Sequence, residues 1–434
     1  MGHIYFTLSS SVHKLIRRPF SRKSGFSLLG YDENFISVKF DEKEPTHFRN
    51  VFLRDACQGL ASVDPHSKQK LFSTSQISPG LSLNRVPSIV MDAQLNQKLL
   101  QVEWKQNGSL HVSKYSESFL RKYSKEALIR EGKFFDKEYW NKSVIMMNLD
   151  KLQVDYGEYF VQKCFYEQVV KKLNDFGIVF VNNIPDPLSY DLKELKEDEY
   201  RKWPVAKLAE MFGYVKKTFY GTLFDVKNET EAKNIANTTT FLPLHMDLLY
   251  YESPPGVQLL HFIQNSTLGG ENVFSDSYLA AQYVKEVDEH AFEALKRVPI
   301  TYHYENANEF YYFSRPLIVE ELLELGPTIK EVNYSPPFQG PFEFAVTKNN
   351  ETDKLFGDFL RGFKLFEDFV NDPNNQLKLK MKEGSCVIFD NRRILHSREN
   401  FSDDNGGRRW LMGCYVDGDS FRSKIRMGYK QIMH

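Results

Sequence analysis

Apolar and polar positions along this chain fall into short alternating runs bounded by turn signals, with only a few longer stretches of helical period. Residues 33–45 and 46–56 read as short strands. Phe35, Ile36, Val38 and Phe40 mark the first, and Phe48, Val51, Phe52 and Leu53 the second. Alternation over 98–113, broken at Asn107-Gly108, predicts a tight hairpin, because both turn positions must accept positive φ. Residues 116–130 have helical spacing. A helix is expected near 157–176, followed by a buried strand at Gly177–Val181, with helical segments near 188–198 and 203–212. From about residue 218 strand follows strand: 218–226, 234–247, 257–264, 271–276, 298–304, 309–313, 376–381, 385–390 and 408–416. Helices at 278–296 and 351–371 interrupt them.

Many short strands with polar turns imply a mainly β chain with flanking helices, built as a barrel or sandwich. The pattern divides into a small, mostly β N-terminal domain over 33–125 and a larger domain over 135–430. The 434 residues, 41% of them hydrophobic, suffice for a large core plus a small one. A net charge of −1 gives no overall field to recruit nucleic acid. No run approaches the length of a membrane span. The four cysteines have no CxxC spacing, which argues for a reducing compartment.

Residues 1–31 differ in kind. They contain no Asp or Glu, but carry Lys14, Arg17, Arg18, Arg22 and Lys23 among serines and scattered apolar residues. This is the composition of a mitochondrial transit peptide, and it places the chain in the matrix; a disordered basic tail is the alternative.

His245-Met-Asp247 is the first candidate for chemistry. One intervening residue turns both side chains to the same side of an extended strand. A surface pair would look the same. His396, delivered by the apolar Ile394-Leu395 pair, changes the balance, because two imidazoles and a carboxylate can cover one face of a non-heme Fe(II) and leave the opposite positions open. Arg409 opens a strand shortly after His396. A guanidinium there suits the distal carboxylate of a chelating keto acid such as 2-oxoglutarate.

The stretches from Asn234 to Thr238, from Leu244 to His261, Gly269-Gly270-Glu271, and from Asp390 to His396 with Arg409 together resemble the γ-butyrobetaine dioxygenase family. That family includes trimethyllysine dioxygenase and is related to taurine dioxygenase. Leu53-Arg54-Asp55-Ala56-Cys57 and Lys68–Phe72 extend the resemblance over residues 33–430. It implies a double-stranded β-helix (jelly-roll) core binding Fe(II) through His245, Asp247 and His396. 2-Oxoglutarate and O₂ would be co-substrates, with ascorbate admitted as a reductant. Arg409 would hold the distal carboxylate of 2-oxoglutarate, with Asn234 nearby. The substrate would be a small betaine, γ-butyrobetaine first, with its trimethylammonium group caged by Tyr220, Phe224, Asn237 and Tyr415. A homodimer is also implied.

The sequence departs from that pattern in three places. Asn237 stands where the family has tyrosine and Phe224 where it has tryptophan, which weakens a cation cage by about 0.5–2 kcal/mol for a lost wall. A Cys-rich zinc loop is reduced to Cys57, with His111 at the matching histidine position; two donors do not close a tetrahedral site, so no structural zinc is expected. Asn272 replaces a usual Ser or Thr. These departures keep open trimethyllysine or another substrate. They also keep open a catalytically impaired homologue acting as a binding protein.

Overall fold

The computed structural model describes residues 25–432, apart from 41–43, 95, 125–136, 191, 193, 195, 228–237, 307, 324–325, 345–349 and 405. The chain forms two compact units, Met1–Leu128 and Ile129–His434.

In the first unit, strands Phe26–Tyr31, Phe35–Phe40 and Thr46–Arg49 form an antiparallel sheet. The first of these lies inside the segment read as a leader. Residues 1–24 lie outside the described residues. Absence of acids had marked the segment, while the alternation that buries Phe26 marks a strand. The expected strand over 46–56 stops at Arg49, and Asn50–Asp55 is a helical turn. The hairpin forms as its turn chemistry requires: Gln97–Gln106 pairs with Ser109–Ser116, and Asn107 and Gly108 have φ of 48° and 77°. Trp104, Tyr115, Leu100, Val102 and Leu53 make the core beneath.

Cys57 is buried, and its Sγ lies 3.3 Å from His111 Nε2. The pair ties the loop after Leu53 to the 109–116 strand. Among the described residues, no third His, Cys, Asp or Glu joins these two in a metal-sized cluster. Elemental analysis of the purified chain is expected to give far less than one zinc per chain, and Cys57→Ala to cost about 1 kcal/mol in a thermal melt. A full equivalent of zinc would overturn this.

The second unit is built on two sheets. The larger runs Phe224–Lys227, Arg409–Val416, Val257–Asn265, Ser385–Asp390, Ile178–Asn182 and Gln153–Asp155, antiparallel except for the last pair. The smaller runs Leu242–His245, Ile394–Arg398, Asn272–Asp276 and Gln376–Leu379, all antiparallel. Strand periodicity sorts the side chains. Along 257–265, Leu260 and Phe262 meet Phe274, Phe389 and Leu411 between the sheets. Val257, Leu259 and Ile263 face the other way, onto helical residues such as Phe165, Trp203 and Phe421. The outer face of the smaller sheet is covered by helices Ser277–Val287, Glu289–Leu295 and Asn350–Asn371. The single helix expected over 278–296 is two, broken at Asp288, whose side chain caps the second by accepting from Ala291 N at 2.9 Å. A hairpin with no counterpart in the sequence reading, Ile318–Leu323 with Gly326–Val332, adds to the helical side. Among the described residues, no helix is long and apolar enough to cross a membrane.

Candidate active site

The inner face collects the polar residues that the core cannot use. Along Ile394–Arg398, residues 394, 396 and 398 point inward while Leu395 packs outside. Along Arg409–Val416, the same alternation turns Arg409 and Tyr415 inward with Leu411, while Trp410, Met412 and Cys414 enter the helix-covered core.

His245 and His396 are register partners on adjacent strands, with ring centroids 4.1 Å apart. Asp247 is not on the extended strand that the spacing suggested. The strand ends at His245, and Asp247 begins a turn in which Leu248 has φ 58°. Two bonds from Asn391 hold that turn: Oδ1 accepts from Asp247 N at 2.9 Å, and Nδ2 donates to Asp247 O at 3.0 Å. The carboxylate still returns to the histidines. Asp247 Oδ1 lies 3.3 Å from His245 Nε2, and Oδ2 lies 3.9 Å from His396 Nε2. One donor atom from each of the three residues lies within 4.8 Å of the others.

The surroundings set the protonation that a cation needs. His245 Nδ1 is 2.8 Å from Pro243 O, which fixes the ring with Nε2 toward Asp247. Burial, and then the neighbouring His245, pushes His396 down to about 3, so it is neutral. Burial opposes ionisation of Asp247, but the imidazoles of His245 and His396 and the Tyr415 hydroxyl outweigh it and hold the carboxyl below its usual range. Tyr415 Oη and Gln258 Nε2 each donate to Asp247 Oδ2 at 2.7 Å. Two imidazoles and one oriented carboxylate are the donor set that a divalent iron accepts, so the residues fit the metal.

On the same inner face, Arg409 is buried and its Nε has no hydrogen-bond partner among the described residues. Burial, and then Arg398, lowers its pKa to about 9, so it remains a cation at neutral pH. A buried cation in want of an acceptor fits a carboxylate ligand. Nearby, Asn272 Oδ1 is also buried without a partner among the described residues.

Of the expected cage residues, the structure brings three together. Tyr220 and Phe224 have centroids 6.3 Å apart, and Phe224 stacks on Tyr415 at 4.9 Å. Gly413 makes this possible, since a Cβ there would sit 2.3 Å from the Phe224 ring. Asn234 and Asn237 lie outside the described residues. Sequence reasoning passed over Gln258, Asn391 and Tyr250, whose hydroxyl lies 3.4 Å from that of Tyr220.

Residues 153–415 match the family described as taurine catabolism dioxygenase TauD, TfdA family. The chain belongs to that family. As a TauD/TfdA member it is an Fe(II)- and 2-oxoglutarate-dependent dioxygenase with a jelly-roll core, which agrees with the donor set and the buried arginine above. Relatives span nearly its whole length. The probable oxidoreductase AIM17 of Saccharomyces cerevisiae is 33% identical, with 89% of this chain and 86% of the relative covered. Dioxygenase str8 of Strobilurus tenacellus is 32% identical over 87% and 84%. The γ-butyrobetaine dioxygenase of Homo sapiens is 26% identical over 91% and 94%.

The Tyr415 contact makes a prediction that does not depend on the substrate. Tyr415→Phe keeps the ring and its stacking but leaves Asp247 Oδ2 with one donor. Loss of an outer partner of this kind costs about 10–100-fold in metal affinity or activity. Iron titration of the variant should show it, and a wild-type iron affinity would refute it.

Proposed function

We propose that this dioxygenase hydroxylates a small betaine-like molecule, γ-butyrobetaine being the first candidate, with its iron held by His245, Asp247 and His396. The observation that carries the reading is the convergence of these three donors within 4.8 Å on the inner face of the jelly roll. Iron with 2-oxoglutarate and O₂ supplies the means to insert one oxygen atom into a substrate C–H bond, releasing succinate and CO₂. The chain's own residues do the rest. Arg409 binds the distal carboxylate of 2-oxoglutarate. Tyr415 and Gln258 keep Asp247 ionised and aimed. The aromatic wall of Tyr220, Phe224 and Tyr415 keeps water from the face beside Asp247 and presents rings to a cation that has no N–H to donate. The acid-free basic segment at the start of the chain supports action in mitochondria.

One observation favours a second reading, a substrate whose head group is not a trimethylammonium. Phe224 and Tyr415 lie nearly parallel, 26° between planes, so each spends a face on the other rather than on a ligand. Asn at 237 points the same way. An oxygen-consumption panel of γ-butyrobetaine, trimethyllysine and related betaines, repeated with Asn237→Tyr, separates the two. Turnover of γ-butyrobetaine that rises in the variant supports the betaine assignment. No coupled succinate from any quaternary ammonium compound would overturn it.

A further inference from the structure

Arg398 is a buried cation that the reaction described above leaves without a task. It stands two residues past His396, 3% exposed, on the same inward face. Its Nη2 donates to the carbonyls of Thr238 at 2.7 Å and Thr240 at 2.6 Å. The carbonyl between them, Thr239 O, accepts from Phe401 N at 3.2 Å. Three successive carbonyls of the segment that feeds the His245 strand are therefore held by residues just past His396. The pairing of the two strands continues the lock, Leu242 opposite Arg398 and His245 opposite His396, with a register shift between them.

Arg398 also belongs to the corner around Arg409. The guanidinium carbons of Arg398 and Arg409 lie 5.1 and 5.5 Å from the centroid of one ring, Phe401. One comes from the smaller sheet and the other from the larger. Asn272 completes the corner as the register partner of Arg398 on the neighbouring strand. A tie between backbone segments needs only a neutral donor such as a side-chain amide. A second guanidinium buried beside the first repels it, and a carboxylate bound beside the pair would relieve that repulsion.

Resting on the assignment of Arg409 to 2-oxoglutarate, we propose that Arg398 is a positioning residue for the co-substrate. It clamps residues 238–240 to the His396 strand and adds a second positive charge to the carboxylate corner. The site for the distal carboxylate is thereby shaped and charged by a residue that bonds backbone in the absence of ligand.

The test is anaerobic calorimetric titration of the Fe(II)-loaded full chain with 2-oxoglutarate, in wild type, Arg398→Met, Arg398→Lys and Arg409→Met. Arg398→Met is expected to weaken 2-oxoglutarate binding by about 10-fold, the worth of a close partly desolvated charge, while the affinity for Fe(II) stays within about 3-fold. Arg398→Lys, which keeps the charge and a donor, should recover most of the loss. It also keeps the test informative if the Met variant does not fold. Wild-type 2-oxoglutarate affinity in Arg398→Met, with only a lowered melting temperature, would overturn the proposal and leave Arg398 a structural tie. Equal losses in Arg398→Lys and Arg398→Met would overturn the charge role. Wild-type affinity in Arg409→Met would instead sink the co-substrate assignment on which the proposal rests.

Discussion

Asp247→Asn is expected to lower substrate-dependent succinate formation by at least about 100-fold, the upper range for losing a mere outer partner of a metal ligand. The substitution is isosteric, so the fold should survive it. Both bonds from Asn391 go to the Asp247 main chain and remain available. What changes is charge and donor count. The carboxylate is the one anionic member of the three-residue cluster, between two histidines of which His396 is held neutral by burial. An amide there offers one weak oxygen donor to the metal and turns an N–H toward the site. Tyr415 and Gln258, which both donate to Oδ2, would then face either that oxygen or a competing donor. Iron content after anaerobic reconstitution should fall together with turnover, while the melting temperature of the metal-free chain changes little. Turnover within about 3-fold of wild type would remove Asp247 from the metal site.

What could be read from the sequence was periodic or chemically unmistakable. The alternation Arg409–Tyr415 sorts inward from outward residues along one strand, and Asn107-Gly108 names its own turn. The failures have local physical causes. Asp247 lies past the end of its strand, so strand spacing does not set its direction; the positive φ at Leu248 is the departure, and leucine gives no warning of it. Asn391 holds that turn from 144 positions away, a distance at which no pattern along the chain connects two residues. Gln258 could have been found, since it shares an inward face with Leu260 and Phe262, where a polar residue needs a partner. Arg398 had the same signal, two residues beyond His396 on a strand. The Phe26–Tyr31 strand was hidden by a stronger compositional cue: freedom from acids described the whole segment and obscured the alternation at its end.

Arg409→Met should separate stability from binding. Arg409 is 7% exposed, with Nε unpartnered among the described residues, and burial together with Arg398 already lowers its pKa. A charge held this way is a cost to the ligand-free fold, and an unbranched apolar side chain of similar length removes it. The metal-free variant is therefore expected to melt at or above the wild-type temperature. Its affinity for 2-oxoglutarate should fall by about 2–5 kcal/mol, the range for truncating one partner of a buried hydrogen-bonded charge pair. That corresponds to roughly 30-fold to several thousand-fold in the dissociation constant. Arg409→Lys keeps the charge but loses the planar fork, and should fall between the two. Thermal melts without ligand and anaerobic titration with 2-oxoglutarate read the two halves independently. A destabilised chain that still binds 2-oxoglutarate normally would make Arg409 a packing residue. A stabilised chain that no longer binds would establish that the core tolerates this cation only for the sake of its ligand.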